Sequence, residues 1–451
     1  MGWLYHLVMP PKSNSSLAIS VLFSIFITSA AAQQSPGDPL RVLLQANDKF
    51  GARLLQQAHS EAPDKNLVVA PLSLTILLGA IQTYSVSDKT RQEFDQLFGW
   101  GEYPDIRIQS RMILAALDDK PRPTPKFRGI PEQVGPETLW IENRLLYRSP
   151  KTGLPLLDPR FVASAPTNFG LQLVSTGDKN PSATDLIGRR ERVGSLPSVS
   201  PLDQVWFSSG IHMRQTWEEL FMESRPTPGE FRLESGQKRT VLRIDSELRK
   251  LPHLKNEKLE SVALPCGRVQ LILVVPAPNL KVQELEQFLV AHPDALDGMT
   301  TSRYGWVTLP QFDTKTSTHL ESALKAMGIS SIFQSLDGVT RTESFQGRIP
   351  SQVTIPAAES KVTDVAQTID FGVDKHGIHA DAETLIGAVP GGILSTPDPF
   401  NVLIDRPFLF FVRETTTNAL VFAGALMDPG NAAPLKEERP RSFHSITHPL
   451  E

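Results

Sequence analysis

The chain has 451 residues, 45 basic and 49 acidic, for a formal net charge of −4, and 40% of it is apolar. These figures exclude a disordered chain, a collagen-like repeat and a generally basic nucleic-acid binder, and leave enough apolar material for a large core. A single cysteine, Cys266, excludes an internal disulfide framework and any CxxC-type metal or redox site, and 37 prolines argue against a simple helical bundle.

Leu17 to Thr28 is a 12-residue apolar run, too short to span a bilayer of about 30 Å at 1.5 Å per residue. It follows Lys12 and ends in Ala30-Ala31-Ala32 before Gln33, which is the pattern of a secretory signal peptide over residues 1–32. The expected location is extracellular, or periplasmic in a Gram-negative bacterium, with no membrane anchor. Outside that leader there is no Asn-x-Ser/Thr acceptor free of proline.

Leu40 to His59 carries Leu43, Ala46, Phe50 and Leu54 at helical spacing. Asn66 to Ser73 predicts a short strand that breaks at Pro71, with Ser73 placed to cap a helix from Leu74 to Ile81. Asp118 to Thr138 holds five prolines and is expected to be an exposed insertion. Beyond Asp203 strands dominate: Val269–Val275 is a continuous apolar run, and Pro407–Val412 and Ala419–Gly424 predict a buried hairpin. His319–Met327 predicts a helix with Leu320, Leu324 and Met327 on one face. Residues 431–451 are polar and proline-punctuated, the composition of a tail. There is no internal repeat and no regular βα alternation, so the expected class is α+β.

The stretch between Gly377 and Pro407 does not fit a packed domain. A loop of this length is normally functional or disordered. Its first part alternates, with Ile378, Ala380, Ala382 and Thr384 on one side and His379, Asp381 and Glu383 on the other. That is the period of a half-buried strand with a compact inner face. The segment is patterned to join a sheet.

Several segments resemble the serpin family. Asn66-Leu-Val-Val-Ala-Pro-Leu-Ser73 is similar to its N-x-x-x-S-P-x-S motif, and Trp217-Glu-Glu-Leu-Phe221 to its W-x-x-x-F segment. Leu309-Pro-Gln-Phe312, Leu320–Phe333, Val362–Gly377 and Arg406-Pro-Phe-Leu-Phe410 through Pro429 follow in the family's order. Six such segments in register are specific where one would be weak. The resemblance covers about residues 40–430 and implies one domain over 33–430. The implied fold has mostly antiparallel sheets, one large and central with two smaller, about eight or nine helices and an exposed reactive loop. It further implies a monomeric inhibitor that traps a serine protease by inserting its cleaved loop into the central sheet, with no enzyme activity, metal or cofactor of its own. On this alignment the hinge comprises Gly377, Ile378, Ala380 and Ala382, and the gate of the sheet comprises Ser73, Ser209 and Gln367.

Three features depart from the family pattern. Ile378 stands where Thr or Ser is usual, and Gln367 and Ser209 replace the usual His and Asn. The loop is about five residues longer than is common, so counting from the hinge places the scissile bond at Gly391-Gly392. Leu394-Ser395 suits a chymotrypsin- or elastase-like protease better, because Leu fills an apolar specificity pocket. No Arg or Lys occurs between His376 and Arg406, which disfavours a trypsin-like target. The alternative is a serpin that has lost inhibition and acts as a binding or carrier protein. Ser322-Ala-Leu-Lys325 and Lys151-Thr-Gly153 match two β-lactamase elements, but in reversed order and without S-D-N. His376 and His379 lack the third and fourth ligands that a metal needs.

Overall fold

The computed structural model describes residues 40–431 except 86, 100–105, 118–136, 149–156, 178–204, 218–219, 222–223, 297–298, 300, 337–338, 341–360, 363–364 and 381–397. The expected leader, most of the proline-rich insertion, Ala382, both candidate scissile bonds and the C-terminal tail lie outside the described residues.

Helix α1 (Arg41–Ser60) buries Leu43, Ala46, Phe50 and Leu54 along one stripe. Strand β1 (Leu67–Val69) leads into α2 (Pro71–Tyr84), which is buried all round from Pro71 to Ile81. A helix apolar on every face belongs inside a large core. The helix starts at Pro71, three residues before the expected start, and Ser73 is not its cap. Proline's fixed φ and missing N–H suit the first helical position, so Ala70 becomes the N-cap and Ser73 lies within the first turn. Helix α3 (Asp88–Phe98) is capped by Ser87 and closed by Gly99 at φ 71°. Helix α4 (Ile106–Leu117) packs with α5 (Pro159–Phe169), which begins at Asp158-Pro159 and ends at Gly170 with φ 60°.

Six strands form the central sheet, in the order β11 (Phe312–His319), β12 (Ala366–Val373), β13 (Gly377–Ala380), β4 (Val205–Thr216), β2 (Thr138–Arg148), β3 (Leu171–Gly177). The pairing is antiparallel except between β2 and β3. A ten-stranded sheet takes β1, β16 (Leu420–Leu426), β15 (Phe408–Glu414), β9 (Val269–Pro276), β8 (Leu259–Cys266), β7 (Arg249–Lys255), β10 (Ser302–Pro310), β6 (Lys238–Asp245) and β5 (Thr227–Arg232), with β14 (Phe400–Leu403) alongside β10. The two smaller sheets anticipated from sequence are thus continuous, because β10 pairs with both β6 and β7. Helices α6 (Val282–Ala291) and α7 (Glu321–Ala326) complete seven α-helices among the described residues. Helix α7 is shorter than its apolar spacing suggests, since His319 is held in β11 opposite Ala366.

The core joins the two sheets through stacked aromatic rings. Phe371 on β12 lies 4.8 Å from Phe410 and 5.7 Å from Phe422, and Phe312 on β11 contacts Phe408 and Phe410. Strands β9, β15 and β16 are buried over nearly their whole length, as their unbroken apolar runs demand. Cys266 is buried on β8. No helix among the described residues is long and apolar enough to cross a membrane.

Candidate functional site

The first four residues of the long loop are already in the central sheet. Strand β13 pairs with β12 through Gly372–His379 and Val373–Ile378, and with β4 from Gly377–Thr216 to Ala380–Met213. Among the described residues β12 and β4 are joined only through β13. Both run antiparallel to it, so below Ala380 they form a lane between two parallel strands.

The turn that feeds β13 is tightly held. Asp374 Oδ1 accepts from the N–H groups of His376 (2.7 Å) and Gly377 (3.1 Å), and Asp374 N–H donates to the Gly377 carbonyl. Trp217, at the end of β4, grips the same turn twice. Its indole Nε1 donates to the Asp374 carbonyl at 2.7 Å and its backbone N–H to the His376 carbonyl at 3.0 Å. The Trp217 side chain therefore anchors the turn before β13. Burial lowers the His376 pKa, with Asp374 opposing and Lys375 reinforcing that shift. Gly377 is required by close approach, because a Cβ there would overlap the Gln215 carbonyl.

Beyond the turn, side chains alternate across the sheet. Ile378 is 1% exposed and faces the core beside Val373 and Gln215. His379 lies on the opposite face, its ring lying where a Gly372 Cβ would be. Across Gly372 is Asp313 of β11. The Asp313 pKa is raised by partial burial, then by the charge of Asp370 and a hydrogen bond to it, with His379 and Lys315 opposing. Lys315 pairs with Asp370 at 2.6 Å. A cavity of about 410 Å³ opens beside this group, lined by Asp313, Asp374, His379, Val241, Phe312 and Pro429 among others.

The gate residues are only partly brought together. Gln367, buried on β12, uses its amide to pair both backbone groups of Ala70. Its Oε1 accepts from Ala70 N–H at 3.0 Å and its Nε2 donates to Ala70 O at 3.1 Å, with Ser73 Oγ 3.5 Å away. Ser73 Oγ donates to the same carbonyl at 3.1 Å. Gln367 and Ser73 therefore meet at the N-terminus of α2. Ser209 is in β4 opposite Asn143 of β2, and its side chain lies outside the described residues. Sequence reasoning missed Ala70, Trp217, Gly372, Asp313 and Asp370. Ala70, Trp217, Asp370 and Gly372 lie in family-like segments, but what they touch does not show there: the Trp217 grip on the turn before β13 depends on a contact across 157 positions. Lys325 of the S-x-x-K match pairs with Glu321 of its own helix at 2.6 Å.

A sheet with a lane beside a strand drawn from a long loop defines the class of protein. The family profile for "Serpin (serine protease inhibitor)" matches residues 45–429, and the chain belongs to the serpin family. Iripin-3 of Ixodes ricinus is 26% identical over 430 residues, covering 90% of this chain and 98% of that protein. The leukocyte elastase inhibitor of Sus scrofa is 21% identical over 414 residues, 86% of this chain and 99% of the inhibitor. The fold is similar to that of human thyroxine-binding globulin complexed with thyroxine, with a TM-score of 0.67 at 18% identity over 87% of this chain and all of the other. Serpins are typically inhibitors of serine proteases rather than enzymes, and the family also includes binding proteins.

Proposed function

We propose that this protein is a suicide-substrate inhibitor of serine proteases, acting by insertion of its cleaved loop into the central sheet. The observation that carries the reading is β13, a strand drawn from the loop and seated between β12 and β4, which among the described residues only it connects. Continued at the same register, the next loop residues fall in order down the lane. Ala380 takes the row of Phe371 and Met213, Ala382 the row of Ile369 and Ile211, and Thr384 the row between Gln367 and Ser209. The first two rows are buried, so small side chains fit there. Asp381 and Glu383 take the outer-face rows of Asp370 with His212 and of Thr368 with Gly210. At about 3.3 Å per residue, inserting Ile378 through Gly391 would carry an acyl-linked protease on the order of 45 Å.

A chymotrypsin- or elastase-like enzyme cutting at Leu394-Ser395 is the favoured target, with Gly391-Gly392 the alternative bond. The second reading, a carrier without inhibition, draws on Ile378 and on the two backbone bonds by which Gln367 holds the gate. Incubation with chymotrypsin or pancreatic elastase followed by denaturing electrophoresis separates the two. The inhibitor gives a covalent complex that resists denaturant, whereas a carrier gives a cut loop and no complex. A cut within residues 388–395 should also raise the melting temperature markedly, because the freed strand completes the sheet. An unchanged melting temperature would count against any spring.

A further inference from the structure

The face of the ten-stranded sheet beside the loop's return carries three large apolar side chains in the open. Tyr304 is 37% exposed, Trp306 41% and Leu403 42%. Strands β10 and β14 run parallel, with Trp306 opposite Asn401 and Thr308 opposite Leu403. Side chains two apart on a strand share a face, so Tyr304, Trp306, Asn401 and Leu403 form one surface. The opposite faces of these strands are spoken for. Phe400 stacks on His253 at 4.1 Å, and Val402, Val307 and Leu309 are buried. Lys250 lies opposite Tyr304, and Asp245 lies opposite Thr308 and accepts its hydroxyl at 2.6 Å. An aromatic centre with a charged rim is the composition of a protein interface rather than of an idle surface.

The position of the patch identifies its occupant. The described chain resumes at Asp398, whose φ of 53° turns it into β14 and whose carbonyl accepts from Arg303 Nη2 at 3.4 Å. The loop therefore returns at the end of β10 where Tyr304 and Trp306 lie. From Ser395 to Asn401 the chain spans at most about 20 Å. A protease domain of roughly 230 residues has a radius of gyration of about 17 Å, so its body is on the order of 40 Å across. An enzyme gripping the loop near Leu394 overhangs this end of the sheet.

We infer that Tyr304, Trp306 and Leu403 form a second docking surface for the serine protease that engages the loop. The inference rests on the inhibitor reading for its occupant, and the patch sets which proteases arrive fast, not whether they are trapped. Aromatic anchors bury large area at low entropic cost, and none of the three side chains belongs to the lane or the gate.

The test is the double variant Tyr304→Ala/Trp306→Ala, with Ile108→Ala/Met112→Ala on the exposed face of α4 as a control for loss of surface apolar area. Association rate constants with chymotrypsin and pancreatic elastase should fall about tenfold or more in the former. The control and the stoichiometry of inhibition should not change. Rates within twofold of wild type for both enzymes overturn the inference. If the wild type is cut without forming a complex, the inhibitor reading fails but the docking surface is still measured, as kcat/KM for loop cleavage. A matching fall in kcat/KM supports it, and an unchanged value ends it. Wild-type protein that neither enzyme cuts overturns both. Light scattering that finds a dimer abolished by the double variant also overturns it, by assigning the face to a second copy.

Discussion

Replacing Gln367 with leucine tests the gate most directly. The substitution preserves approximate volume but removes the amide that pairs both backbone groups of Ala70. The Ala70 carbonyl keeps Ser73 Oγ as a donor, whereas the Ala70 N–H loses its acceptor in a buried site. An orphaned buried N–H costs about 1–3 kcal/mol, and the lost pairing of the carbonyl adds roughly 1 kcal/mol. The total is about 2–4 kcal/mol, or a fall in melting temperature of about 2–5 °C for a chain of this size. Because the bond ties β12 to the helix under the lane, the variant should also insert its intact loop spontaneously. Incubation at 45 °C should then lose inhibitory activity several-fold faster than wild type, with a gain in thermal stability of the converted fraction. A melting temperature within 1 °C of wild type, with an unchanged rate of conversion, would refute the assignment of Gln367 as the bolt.

Ala380→Asp places a carboxylate in the row of Met213; burying it unpaired costs several kcal/mol. The fraction of protease trapped should fall and loop cleavage rise, read from the ratio of complex to cut inhibitor on a denaturing gel. Asp313→Asn removes the acid whose folded pKa is raised. A raised acid contributes stability below its ordinary range and loses it as pH climbs through the folded value. The variant should therefore flatten the fall in melting temperature above pH 4 and be more stable than the wild type at pH 7. An unchanged pH slope would remove Asp313 from the account. His59 and Glu286 form a buried pair at 2.7 Å between α1 and α6. Burial raises the Glu286 pKa and His59 opposes that shift, so His59→Ala should cost about 3–5 kcal/mol at pH 7.5. Urea unfolding should recover part of the loss at pH 5, because burial raises the Glu286 pKa and lowering the pH favours its neutral form. Equal losses at both pH values would argue against an unpaired charge.

The sequence by itself determined those features that local pattern can encode. The unbroken apolar run of β9 and the β15–β16 hairpin follow from burial on both faces. The alternation that begins at Ile378 marks the strand seen over Gly377–Ala380, because side chains on a strand repeat every two residues. Motif order then put the segment of β12 and the start of β13 in the family's sequence. Only the tertiary structure decided what those segments touch. Nothing near Gln367 in the chain marks Ala70, 297 positions away, as its partner in place of Ser209. Gly377 is glycine because another strand's carbonyl fills its Cβ position. Asp313 and Asp370 become neighbours only when β11 and β12 are laid side by side. Likewise, the alternation at Gly377–Ala380 suggested a strand, but only the placement of β12 and β4 on either side shows which sheet receives it. Periodicity is a property of neighbours along the chain, whereas register between distant strands depends on how the whole core closes.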